Sequence, residues 1–142
     1  MRAEVRNGPQ ISLRQMFVYA ERKKGLWRVG WRVENLSRAI LELDAVRFPH
    51  SQFKADEQRF EPAIVLAYGE PVEFPTVIAC KESAGTVVEN GFAIFSSSWR
   101  QEQWRIFVRL RINIDNEARP IAAAELITTQ QAGFSDDPGS EN

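Results

Sequence analysis

The chain carries almost nothing with which to do redox or metal chemistry. It has one cysteine, Cys80, and one histidine, His50, in 142 residues. A single cysteine excludes an internal disulfide and any thiolate cluster. A single histidine removes most zinc sites and most catalytic triads before geometry is considered. No apolar run approaches the ~20 residues that a membrane-crossing helix needs. The first residues, MRAEVRNGPQ, place charges and a proline where a signal peptide would have its apolar region, so the sequence reads as cytoplasmic. No catalytic, metal or nucleotide motif is present, and no cofactor is implied.

What is present is ordinary for one globular domain: 44% hydrophobic and 26% charged residues, in a chain long enough to bury a substantial core. Net charge is −1 but uneven: residues 1–41 carry an excess of six positive charges, residues 42–89 five negative, residues 90–119 two positive and residues 120–142 four negative. Glutamates interrupt the basic start, which reads as solvated surface. With the whole chain slightly acidic, no nucleic acid partner is expected.

The most ordered pattern is WRIFVRLRINID, Trp104 to Asp115. Trp104, Ile106, Val108, Leu110, Ile112 and Ile114 fall on every second residue, with Arg105, Phe107, Arg109, Arg111, Asn113 and Asp115 between them. A period of two sends the first set to one face of a strand and the second to the other, which no helix would do. Upstream, Trp27, Val29, Trp31 and Val33 alternate with Arg28, Gly30, Arg32 and Glu34, after a charged turn ending at Gly25. Pairing Ala20 with Leu26 places Tyr19 opposite Trp27 and Phe17 opposite Val29, both apolar sets on one side.

Further strands are predicted over about 39–48, Phe60–Tyr68, Val72–Cys80 and Phe92–Trp99. Pro62 marks a strand near a sheet edge and Pro75 a weak point in the next. Residues 49–59 read as a loop or a single helical turn, and Glu82–Gly91 as a long polar connection. Arg100-Gln101-Glu102-Gln103 reads as the turn that pairs Trp99 with Trp104. Ile121–Gln130 suits a last strand through Ile127-Thr128-Thr129, and suits a helix through Ala122-Ala123-Ala124. The predicted organisation is a mobile lead over 1–10, one β domain over 11–131 and an acidic, disordered tail over 132–142.

Seven or eight strands without a long helix predict an all-β fold, an antiparallel immunoglobulin-like β-sandwich. WRVEN, a turn, an alternating strand and then YGEPVEF resemble bacterial immunoglobulin-like or fibronectin type III-like accessory domains over residues 11–115. The antibody-type Cys…Trp…Cys spacing is absent. The resemblance implies a recognition or spacing role and transfers no residue assignment.

Each chemistry-bearing residue has a plain structural use. Trp27, Trp31, Trp99 and Trp104 fall in the inward phase, as core; exposed, they would be a sugar-stacking platform, as would Tyr68 with Phe53 and Phe60. Glu42 and Asp44 point the same way from a strand and read as solvated carboxylates; with Asp56 and Glu57 they are the only inexpensive ligands for a hard cation. Ser96-Ser97-Ser98 lacks the strained turn of an esterase nucleophile, and His50 has no sequence-local partner. Cys80 reads as a buried, inert thiol, and Asn35-Leu36-Ser37 matches a glycosylation acceptor.

The most informative surface is the outward side of the last hairpin. Phe92 with Arg111, Ile94 with Arg109, Ser96 with Phe107 and Ser98 with Arg105 mix apolar and cationic groups where polar ones belong. Either Ile121–Gln130 or Ala132–Phe134 folds over this face, or another molecule does. The expectation is a non-catalytic, protein-binding or structural module whose face is Phe92, Ile94, Arg105, Phe107, Arg109 and Arg111. Its partner would be another protein or a second copy, as a homodimer. The alternative is a carbohydrate-binding β-sandwich.

Overall fold

The computed structural model describes residues 8–132. These form eight antiparallel strands and no helix: β1 Ile11–Ala20, β2 Leu26–Asn35, β3 Leu41–His50, β4 Phe53–Leu66, β5 Pro71–Ala79, β6 Val87–Trp99, β7 Glu102–Ile114 and β8 Pro120–Ala132. Their order across the sheet is β1-β2-β5-β4-β3-β6-β7-β8. The two end strands, β1 and β8, come close to each other, so the sheet is nearly closed and barrel-like.

The closure is made by a side chain. Gln15 Nε2 donates to the Pro120 carbonyl at 3.0 Å, and Gln15 Oε1 accepts from the Ala122 N–H at 2.7 Å. One amide thus stands where a ladder rung would stand and satisfies two edge groups of β8. The β4–β5 join is also thin, with Lys54 opposite Ala79 its single registered pair. Pro75 lies inside β5 on that side: its carbonyl accepts from Gln58 Nε2 at 3.2 Å. N and C=O of one strand residue point the same way, so the proline nitrogen faces the thin join, where few ladder bonds exist to lose.

The inward row of β7 is buried as its period requires: Trp104 to Ile114 are each 3% exposed or less. Each aliphatic side chain in that row contributes ~1.5–3 kcal/mol by leaving water. Across the core, the Trp31 ring stacks on Phe48 at 5.5 Å and meets Phe53 edge-on at 6.3 Å. The Trp31 N–H donates to Thr76 Oγ1 at 2.8 Å, so the large ring is buried without an orphaned donor.

Several expectations are corrected. Ala20 pairs with Trp27, not Leu26, and the register slips between Gln15 and Phe17, leaving Met16 as a bulge. One extra residue reverses the phase, so Ile11, Leu13 and Val18 face inward while Phe17 and Tyr19 face outward. At the β6–β7 hairpin Trp99 pairs with Glu102, not Trp104, because the turn is only Arg100-Gln101. Both residues take positive φ, 51° and 65°, the two-residue turn whose twist matches that of the flanking strands. A shift of two residues preserves the faces but changes every neighbour.

Residues 49–59 are not a loop: β3 turns at Ser51-Gln52 and β4 begins at Phe53, which is fully buried. The polar connection before β6 is shorter than Glu82–Gly91, since β6 starts at Val87 and bulges between Val88 and Gly91. Residues 121–130 are strand, paired along β7, and β8 extends the sheet sideways rather than folding over it. Of the lead expected over 1–10, residues 1–7 lie outside the described residues. Gly8 and Pro9 are buried, and a Cβ on Gly8 would lie 2.6 Å from the Trp104 ring. The tail beyond Ala132, with the Ala132–Phe134 cover, lies outside them too.

Candidate functional site

Most of the chemistry-bearing residues are spent on structure. Trp31, Trp99 and Trp104 are buried, and Trp27 is half-buried with its N–H on the Cys80 carbonyl at 2.9 Å. Trp99 and Trp104 meet edge-on at 6.0 Å, with the Arg100 guanidinium 4.5 Å from the Trp99 ring centre. Phe53 is buried and Tyr68 is 61% exposed beneath Arg38, so the loop aromatics form no common platform.

Asn35 is fully buried. Its Nδ2 donates to the Ala39 and Leu66 carbonyls at 3.0 and 2.9 Å, and its Oδ1 accepts from Ser37 N–H at 2.8 Å. That amide holds the β2–β3 turn, and both its hydrogens are used, so the folded chain offers no acceptor there. His50 Nδ1 accepts from the Gln52 N–H at 3.0 Å and shapes the β3–β4 turn. Ser97 Oγ donates to the Trp104 carbonyl at 3.0 Å, and Ser98 Oγ reaches Asp44 at 3.5 Å. The serines pair with the Leu41 end of β3 and His50 closes its other end, so no Ser–His pair forms. Glu42 is exposed and Asp44 sits at a bulge. Among the described residues no three acidic, histidine or cysteine side chains cluster as metal ligands. Burial pushes the Cys80 thiol up, against a weaker opposing hydrogen bond from the Glu82 backbone, which keeps it protonated and unreactive.

The structure brings the six hairpin-face residues onto one surface, with neighbours changed by the new register. Ile94 lies opposite Phe107, Phe92 opposite Arg109, and Ser96 opposite Arg105. The arginines are largely committed within the fold: Arg111 reaches Glu89 at 3.1 Å and Arg109 approaches Glu125 at 3.7 Å. Ile94 is only 9% exposed, and Phe92 and Phe107 are half-buried.

A more open surface lies elsewhere. The Met16 bulge turns Phe17 and Tyr19 outward, their rings stacked at 5.1 Å, with Tyr19 62% exposed. Met16 and Ile121, also exposed, join them around a groove of about 400 Å³ along the β1–β8 seam. The Phe17 ring lies over Gly30, where it occupies the place a Cβ would take. The Glu21 N–H bonds the Leu26 carbonyl. Alternation along the ladder then turns the main-chain groups of Val18 and Ala20 away from β2, toward the seam. The charges around it are matched: Arg28 with Glu21 at 2.9 Å, and Arg119 with Asp115 at 2.8 Å and Glu117 at 3.3 Å. Sequence reasoning missed this surface, though a glycine inside a strand, Gly30, is a sign of a bulge or close approach.

No protein-family description matches the chain, and no curated protein is significantly similar to it. Among the described residues no helix is long and apolar enough to cross a membrane.

Proposed function

We propose that the chain is a non-catalytic interaction module that associates with a second copy of itself through the β1–β8 seam. The observation that carries this reading is the outward group of Met16, Phe17, Tyr19 and Ile121 beside an edge that no ladder of the described residues covers. A contiguous apolar surface bordering open backbone groups is a site for another polypeptide. Its charges are paired within the same copy, so two such surfaces meet without like-charge repulsion, and a two-fold dimer is the commonest assembly. A polyanion would gain little there. The hairpin face, with Phe107 at its centre, is the second surface of the module.

The fold reading that goes with this is an immunoglobulin-like sandwich, β1-β2-β5 against β4-β3-β6-β7 with β8 added. The single β4–β5 pair and the strand order support it. Amide hydrogen exchange at increasing protein concentration tests the association. Amides of residues 16–20 and of Arg119, Ile121 and Ala122 should slow as concentration rises, while those of β3 stay constant. Exchange at the seam that does not depend on concentration sinks the proposal.

A further inference from the structure

A second, unrelated feature lies at one end of the nearly closed sheet. Three connections converge there: the β1–β2 turn, the segment after β5 and the β7–β8 turn. They line a mainly apolar cleft of about 390 Å³, the size of a small-ligand site. Its apolar part is the half-buried Trp27 ring with Ala118, beside the buried Cys80. Its polar part is Lys24, Lys81 and Glu82.

The parts are held in place before any ligand arrives. Trp27 donates to the Cys80 carbonyl at 2.9 Å, which sets the ring's orientation. Cys80 N–H donates to the Gly25 carbonyl at 2.9 Å and ties two of the three connections together. Gly25 has φ +87°, and a Cβ there would lie 2.7 Å from Lys81 Cγ, so the glycine lets the lysine stem lie across the rim. Neither ammonium is engaged by a carboxylate of the described residues. A rigid aromatic wall beside two uncommitted cations suits a flat apolar body with one anionic end. Glu82 on the same rim disfavours a second negative charge.

We propose that this cleft binds small monocarboxylates with an aryl or alkyl body, the body on Trp27 and Ala118 and the carboxylate between Lys24 and Lys81. The site is separate from the β1–β8 seam, and occupying it requires no second copy.

The test uses the intact chain, 3-phenylpropionate, and its neutral counterpart 3-phenylpropan-1-ol. Calorimetry should show the acid binding at least tenfold more tightly than the alcohol. Lys24→Glu combined with Lys81→Glu changes two exposed side chains and should weaken the acid at least tenfold, with the melting temperature preserved. Trp27 lines the cleft, so its fluorescence reports the site directly and should change saturably with the acid. No binding of the acid, equal binding of acid and alcohol, unchanged binding by the double variant, or Trp27 fluorescence indifferent to the acid would each overturn the proposal.

Discussion

At the scale of single residues, Asp115 holds a whole turn with one carboxylate. Its Oδ1 accepts from the N–H groups of Glu117 and Arg119 at 2.9 and 2.8 Å, and its Oδ2 accepts from Arg119 Nε at 2.8 Å. These bonds, the Arg119 backbone N–H foremost, hold the carboxyl below the ordinary aspartate range. A lowered folded value means that the stability it adds is complete above the unfolded aspartate's value and is lost as pH falls through the folded one. Unfolding measured from neutral pH down to acid should therefore show a loss in the parent that Asp115→Asn lacks; identical pH slopes would show that the carboxylate does not hold the turn. Trp104 is the opposite kind of residue, 3% exposed and packed on Trp99. Trp104→Ala should cost ~3–5 kcal/mol in chemical denaturation, the range for removing a large buried ring. A midpoint close to the parent's would place that ring outside the core.

At the scale of elements, the decisive event is one residue in β1. The Met16 bulge turns the second half of the strand over, and Gly30 on β2 makes room for the Phe17 ring that results. Gly30→Ala should destabilise by ~1–3 kcal/mol, the cost of overpacking, and most of that cost should vanish in a Phe17→Ala background. An equal cost in both backgrounds would mean that the ring is not what meets the new methyl. This junction marks where sequence reading stops. In β7 an unbroken period of two named every buried residue from Trp104 to Ile114, because nothing interrupts the strand before its end. In β1 the odd-numbered apolar positions Ile11, Leu13, Phe17 and Tyr19 are broken only at Gln15, which reads as one polar exception rather than as the residue before a bulge; Gly30, across the ladder, is the other hint. Turn length was similarly hidden. Arg100 and Gln101 adopt a conformation usually given to asparagine and glycine, so a four-residue turn looked natural and the hairpin register was displaced by two. The candidate face on that hairpin was legible as a set of outward residues, but its arginines' partners Glu89 and Glu125 come from a bulge and from a strand whose identity was open.

At the scale of the whole molecule, a sheet of eight strands almost closes and leaves its seam to one glutamine side chain. Gln15 secures the seam at Pro120 and Ala122, while Met16, Phe17, Tyr19 and Ile121 beside it stay in contact with water. Their exposure is the ground for the proposed association with a second copy. The most direct test is sedimentation velocity over a wide concentration range for the parent, for Tyr19→Glu and for Phe107→Glu. Tyr19 is largely outside the fold, so a charge there leaves the core intact. A parent that shifts from monomer to dimer with concentration is predicted, with Tyr19→Glu remaining a folded monomer and Phe107→Glu dimerising as the parent does. A parent that sediments as a monomer throughout, or a Tyr19→Glu variant that dimerises like the parent, contradicts the account.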